Sequence, residues 1–194
     1  IGMANISEIE KIFKIYQKYQ NNNIAFLHCV SNYPASDKSL NLNVIKSISN
    51  YFNVPVGFSD HSLGAEAAIT SVALGSRIIE KHFTTDKSLP GPDQKASSTP
   101  NEFNNLVLKV KRVEKMLGNS FKEIQEEEKE MHKISRKSFH LTRNISKNEI
   151  IKNDDLILQR PGDGLSYSFF NYLIGKKASK DLLKGDQINI GDVF

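Results

Sequence analysis

Apolar residues recur at helical spacing, then in short continuous runs, through the first two thirds of the chain. Ile9, Ile12, Phe13, Tyr16 and Tyr19 predict an amphipathic helix opened by a Ser7/Glu10 capping box and stopped at Asn21-Asn22-Asn23. Ile24 to Val30 is an almost unbroken apolar run, the pattern of a strand buried on both faces. Val44, Ile45, Ile48, Tyr51 and Phe52 return to helical spacing, and Val54 to Phe58 predicts a second buried strand. Leu63 to Leu74 is Ala-rich and reads as a closely packed helix ended at Gly75; a third short strand lies within Arg77 to Phe83. Thr99, Pro100 and Glu102 open a further helix, with a stripe of Phe103, Leu106, Val107, Val110, Val113 and Leu117 and a stop at Gly118.

Residues 1–118 thus read as a helix followed by three strand–helix units. Such alternation predicts parallel strands with right-handed crossovers. A (β/α)8 TIM barrel needs about 250 residues, so this stretch fits the C-terminal part of one. Residues 119–137, with Glu126-Glu127-Glu128, read as a solvated linker of helical character. Ser138 to Ile145 alternates like a strand, and the rest is short apolar pieces between turns. Ile145, Lys147, Ile151, Asp155 and Leu156 recur, after a fixed shift, as Leu182, Lys184, Ile188, Asp192 and Val193. Two similar halves predict a small β-rich domain over 138–194 with little helix.

Composition narrows this picture. The chain has 194 residues, 39% of them hydrophobic and 25% charged, which suits a packed globular core. Its charge of +4 is interspersed and carries no basic stripe or reading motif, so no nucleic-acid partner is expected. No apolar run is long enough for a transmembrane helix, and the start resembles no signal peptide. One cysteine, Cys29, excludes a disulfide framework, and the cytoplasm is the expected compartment. Ile1-Gly2-Met3 at the start points to a fragment that opens within a fold.

Parallel sheets bind ligands at the carboxyl ends of their strands. Three clusters fall there: Ser31 to Pro34, Ser59-Asp60-His61 and Glu80-Lys81-His82. Strand side chains alternate, so Ser59 and His61 share one face, as do Glu80 and His82 on the next strand. On neighbouring strands, two imidazoles and a carboxylate would converge, a set suited to a divalent metal with open positions. His28 falls out of phase with Ser31 and Tyr33 and reads as structural. Cys29, in an apolar run with no nearby base in sequence, reads as a buried inert thiol. Pro90-Gly91-Pro92-Asp93, with Lys95, forms a loop placed for binding, and Arg160-Pro161-Gly162 is a turn with an exposed arginine.

These segments also match a family. His28-Cys29-Val30-Ser31-Asn32-Tyr33-Pro34, Gly57-Phe58-Ser59-Asp60-His61, Glu80-Lys81-His82-Phe83-Thr84, Pro90-Gly91-Pro92-Asp93 and Arg160-Pro161-Gly162 follow in register. The chain resembles the C-terminal part of the sialic acid synthases (N-acetylneuraminate synthase and its relatives) over essentially all its length. That resemblance implies a TIM barrel followed by a small antifreeze-like (SAF) domain, in a domain-swapped homodimer. It implies condensation of phosphoenolpyruvate with N-acetylmannosamine to a nine-carbon 2-keto acid, with release of phosphate.

The resemblance also assigns residues. His61 and His82 match the ligands of a divalent metal, manganese first, with magnesium or cobalt as alternatives. Ser59 matches a phosphoenolpyruvate contact, and Tyr33 an amino-sugar contact. Asp93 lies near the substrates, and Arg160 matches a residue reaching a partner's site to hold the N-acyl group. Glu80 occupies a motif position of catalytic interest, and Ser31 a substrate-contact position where some members carry Asn. Within the family, a legionaminic or pseudaminic acid synthase is the alternative. From other classes stand a non-catalytic carbohydrate-binding SAF module and a zinc hydrolase with two His and one carboxylate. With the first part of a barrel missing, the fragment alone is expected to be inactive.

Overall fold

Asn5, not Ser7, opens the first helix of the computed structural model, which describes residues 1–19 and 23–194. Its side chain accepts the Glu8 N–H at 3.1 Å, and Glu8 accepts the Asn5 N–H at 2.8 Å. The same box chemistry therefore acts two residues earlier than the spacing of Ser7 and Glu10 predicts. The helix α1 spans Ile6–Lys18. It buries Ile9 and half-buries Phe13 and Tyr16, while Ile12 and Tyr19 are exposed. The predicted stop at Asn21 and Asn22 lies outside the described residues.

Three parallel strands follow: β1 (Phe26–Cys29), β2 (Val56–Asp60) and β3 (Ile79–Lys81), in the order β1-β2-β3. β1 is shorter than its apolar run and β2 is shifted two residues past its own, because pairing partners limit a strand as much as side chains do. Helices α2 (Val44–Phe52) and α3 (Glu66–Ala73) make the crossovers, and α4 (Pro100–Leu117) follows β3. Asn53 caps α2 in the left-handed region, a conformation that Asn tolerates. The Thr99/Glu102 box and Pro100 open α4 as its sequence predicts, but only Leu106 of the predicted stripe is fully buried. Phe13, Phe26 and Phe52 meet edge-to-face between α1, β1 and α2, beside Ile45, Ile48, Val56 and Phe58.

The chain divides into two compact units, Ile1–Ser120 and Phe121–Phe194. Most of the charged stretch 119–137 belongs to the second unit and forms α5 (Lys129–Ser135) there. Strands β4 (Ser138–Leu141) and β5 (Leu156–Gln159) pair antiparallel, and α6 (Phe170–Leu173) is one turn. The alternation expected of Ser138 to Ile145 is not seen: β4 ends at Leu141 and all four of its residues are buried. Its polar members are satisfied locally, Ser138 Oγ donating to Pro161 O at 2.7 Å.

The weak repeat is structural. Ile145 and Leu182, 37 positions apart, exchange both backbone hydrogen bonds at 2.9 Å, as residues flanking a two-fold axis do. Lys147 N–H donates to Asp181 and Lys184 N–H to Asn144, at 2.7 and 2.8 Å. Arg143 pairs with buried Asp155, and Lys180 with buried Asp192. Each of these contacts maps onto its counterpart under the same shift. The two halves thus form one core, including Ile145, Ile151, Leu182, Ile188 and Val193. No helix among the described residues is long and apolar enough to cross a membrane.

Candidate active site

Parallel pairing sets Ser59 opposite Glu80 and Asp60 opposite Lys81. Alternation then sends Ser59 and Glu80 to one face, and His61 and His82 to the same face one step further on. The side chains meet as this geometry requires. Ser59 Oγ donates to Glu80 Oε1 at 2.6 Å, and the rings of His61 and His82 face each other edge-on at 5.4 Å.

The loop after β1 adds Tyr33, whose ring lies 4.1 Å from that of His61 and 4.4 Å from that of His82. Its hydroxyl is buried with no hydrogen-bond partner among the described residues. Burial first, then the charges of Asp93, Cys29, Asp60 and Glu80, push the phenol far above its ordinary range. The Pro-Gly-Pro loop brings Asp93 Oδ2 to 3.7 Å from His82 Nδ1. That loop is pinned beside His82: Ser98 N–H donates to His82 O at 2.8 Å, and Thr84 N–H donates to Ser98 O at 2.9 Å. Burial, followed by the charge of His82, holds the His61 imidazole below its ordinary pKa. A neutral ring with an available lone pair is the form that binds a metal.

One expectation is corrected. Among the described residues, no group of three or more His, Cys, Asp or Glu side chains is arranged to hold a metal. The set of two His and a Glu therefore does not form. Glu80 stands two residues before His82, about 6–7 Å back along an extended strand, and its Oε1 already accepts from Ser59. The two imidazoles fit a metal as a pair of nitrogen donors and leave its remaining positions to other groups.

Cys29 is a second correction. It is half-buried, and its Sγ lies 3.6 Å from His61 Nε2 and 3.8 Å from Nδ1, so a base is present in space though not nearby in sequence. The register that puts Cys29 opposite Ser59, two residues before His61, is the signal that could have found it. His28 is structural, as read: Nε2 donates to Leu40 O at 2.6 Å, and its ring stacks on Phe58. Ser31 is exposed in the β1–α2 loop. Arg160 belongs to the second unit, where it is exposed and its Nε donates to Ser135 O at the end of α5, at 3.2 Å.

Sequence reasoning also passed over Asp60 and Lys81. They point to the opposite face of the sheet and form an ion pair at 2.7 Å, with side chains 0% and 2% exposed.

Comparisons with known proteins give the chain its family. Residues 1–122 match the model of the NeuB family and residues 136–193 that of the SAF domain. The chain is 39% identical to uncharacterized protein MJ1065 of Methanocaldococcus jannaschii, over 100% of its own length and 57% of that protein's. It is 38% identical to an N,N'-diacetyllegionaminic acid synthase of Legionella pneumophila, covering 95% of this chain and 53% of that one. A pseudaminic acid synthase of Campylobacter jejuni is also 38% identical, over 98% and 55%. The chain therefore spans little more than half the length of these relatives.

Among solved structures, an N-acetylneuraminic acid (sialic acid) synthetase from Leptospira borgpetersenii is 40% identical, with a TM-score of 0.63, over 67% of this chain and 45% of that one. A Chromobacterium violaceum structure assigned to spore coat polysaccharide biosynthesis superposes at a TM-score of 0.82 over 100% of this chain and 59% of its own. At 21% identity, that likeness is one of fold. The chain belongs to the NeuB family, its NeuB region followed by a SAF domain.

Proposed function

We propose that this chain carries the metal-binding end of a phosphoenolpyruvate-dependent sugar-acid synthase, the three strands being part of a (β/α)8 barrel. The observation that carries the reading is the convergence of His61, His82, Tyr33 and Asp93 at the ends of β2 and β3, within a NeuB-family chain. The reaction joins C3 of phosphoenolpyruvate to the aldehyde carbon of an N-acylated amino sugar. The aldehyde oxygen gains a proton, water adds at C2, and phosphate leaves. A divalent ion, manganese first, held by His61 and His82, would supply Lewis-acid polarisation of a substrate oxygen.

The chain's own residues do the rest. Ser59 Oγ donates to Glu80 Oε1 in the free site, and that hydroxyl turns to donate to an anionic oxygen of phosphoenolpyruvate when the substrate binds. Glu80, the carboxylate beside Ser59, takes the proton of the incoming water as general base. Tyr33 covers both imidazoles and presents its unsatisfied hydroxyl to the sugar. Asp93 fixes the orientation of the His82 ring from the binding loop. Arg160 of the SAF domain holds the N-acyl group across a domain-swapped homodimer, its fork suited to an amide oxygen.

N-acetylmannosamine is the first substrate, a choice supported by the 40% identity to a sialic acid synthetase. A second reading, an N,N'-diacetyllegionaminic acid synthase, draws on the 38% identity to a relative of that name. The test exchanges this chain for the matching segment of the Legionella pneumophila synthase and measures phosphate release from phosphoenolpyruvate with each amino sugar. Activity abolished by His61→Ala and by His82→Ala supports the reading. A folded chimera that releases no phosphate with any N-acylated amino sugar overturns it.

A further inference from the structure

We propose that the buried Asp60–Lys81 ion pair is a positioning clamp that sets the spacing of the two imidazoles, and the inference rests on the metal reading above only for its metal-affinity readout. The pair lies directly beside both histidines in sequence and on the opposite face of the same two strand ends. Asp60 Oδ1 accepts from Ser62 N–H at 2.8 Å and from Ser62 Oγ at 2.6 Å, while Oδ2 accepts from Lys81 Nζ at 2.7 Å. Lys81 Nζ also donates to Ser62 O at 2.7 Å. The residues on both sides of His61 are therefore tied to one ammonium group, and that group belongs to the residue before His82. Ala35 N–H donates to His61 O at 3.0 Å and closes the third side.

β3 is only three residues long, so few ladder bonds hold the end of β3 against β2. The clamp supplies the missing tie at the point where the two rings leave the sheet. Groups that orient metal ligands from behind typically matter 10–100-fold in metal affinity. A buried ion pair also affects stability, because removing one partner strands a charge, whereas removing both often restores stability. The two roles separate in a double variant. Asp60→Asn/Lys81→Met leaves no stranded charge and no ionic tie.

The experiment measures Mn2+ affinity of the chain by the EPR signal of free Mn2+, the melting temperature, and the NOE between the His61 and His82 ring protons in the metal-free protein. Lys81→Met is expected to lose melting temperature and to bind Mn2+ at least about 10-fold more weakly. The double variant is expected to recover most of the melting temperature while its Mn2+ affinity stays weak and the inter-ring NOE is lost. Affinity and NOE that recover together with stability would make the pair merely structural and overturn the clamp. Should Lys81→Met fail to fold, the double variant and the milder Ser62→Ala carry the same comparison. A folded wild type that shows the NOE but binds no Mn2+ refutes the metal reading, and the NOE series then decides the clamp by itself.

Discussion

Gly57 is the second residue of β2, and its lack of a side chain sets how closely β2 packs against Leu27 and Ile78. A Cβ there would lie 2.7 Å from Ile78 O, 2.8 Å from Ile78 Cβ and 3.2 Å from Leu27 Cγ. Its backbone needs no left-handed conformation, so the requirement is for space alone. Gly57→Ala must part β2 from the segment entering β3 by about 0.6 Å to restore ordinary contact. The hydrogen bond from Phe58 N–H to Ile78 O, now 2.8 Å, stretches beyond useful range.

Overpacking of this kind costs about 1–3 kcal/mol and the weakened bond about 1 kcal/mol, so we expect a loss of roughly 2–4 kcal/mol. For a unit of this size that is a fall of about 8–16 °C in melting temperature. Calorimetry checks it, with the transition of the second unit, which lies elsewhere in the chain, as internal control. The same displacement should move Ser59 from Glu80 and weaken Mn2+ binding. A fall of less than about 2 °C would show that β2 and Ile78 accommodate a methyl group, and that the close approach does not hold the site together.

Three further outcomes are expected. Thr99→Ala removes the cap of α4 and should cost about 1 kcal/mol of the first unit's stability, read by urea denaturation. Burial acts to raise the Asp155 pKa, but the Arg143 fork and Lys152 N–H outweigh it and leave it depressed, so the second unit should hold its stability above about pH 4 and lose it as pH falls through the folded pKa. In Arg143→Ala, acid-denaturation curves should show a smaller step, and an unchanged step would discard that assignment. Gly162→Ala places a Cβ 2.3 Å from Arg136 Cβ and 2.6 Å from its carbonyl carbon, so the Arg160 turn must lift from α5; in the chimera the Michaelis constant for the amino sugar should rise several-fold, and an unchanged constant would separate Arg160 from sugar binding.

The candidate site was legible in the sequence to the extent that strand alternation reaches. Ser59 and His61, Glu80 and His82 fall on one face by counting in twos, and pairing of neighbouring strands does the rest. Cys29 beside His61, and Asp60 beneath it, were not legible, because their partners lie on other strands and only the register places them. Element ends were less legible than elements. Ser7/Glu10 and Asn5/Glu8 carry the same box spacing, and the helix uses the earlier pair, with Ile9 buried in its first turn. The stripes of α1 and α4 overstate burial for a related reason: helical spacing marks a face that can be covered, and only packing decides how much of it is.

The second unit shows the complementary case, in which the sequence holds more than residue identity reveals. The five matched positions are three apolar, one acidic and one basic, each kept in type across the 37-residue shift. The structure adds pairs conserved only in role: Arg143 and Lys180 as partners of buried carboxylates, Asn144 and Asp181 as acceptors for the opposite half's backbone. Asn148 and Gly185 both take positive φ, the one conformation these turns share and that few residues tolerate. Each half leaves a backbone N–H, of Lys147 or Lys184, that its own residues do not satisfy and that the other half does. The buried N–H groups of Ile145 and Leu182 are likewise satisfied only across the two halves, and an unsatisfied buried donor costs more than a made bond returns. Neither half is therefore complete by itself, and the reciprocity lets a domain with so little regular strand hold one core. The Arg160-Pro161-Gly162 turn is held separately, by Ser138 Oγ on Pro161 O and by Arg160 Nε on Ser135 O at the end of α5, and presents its exposed arginine from that base.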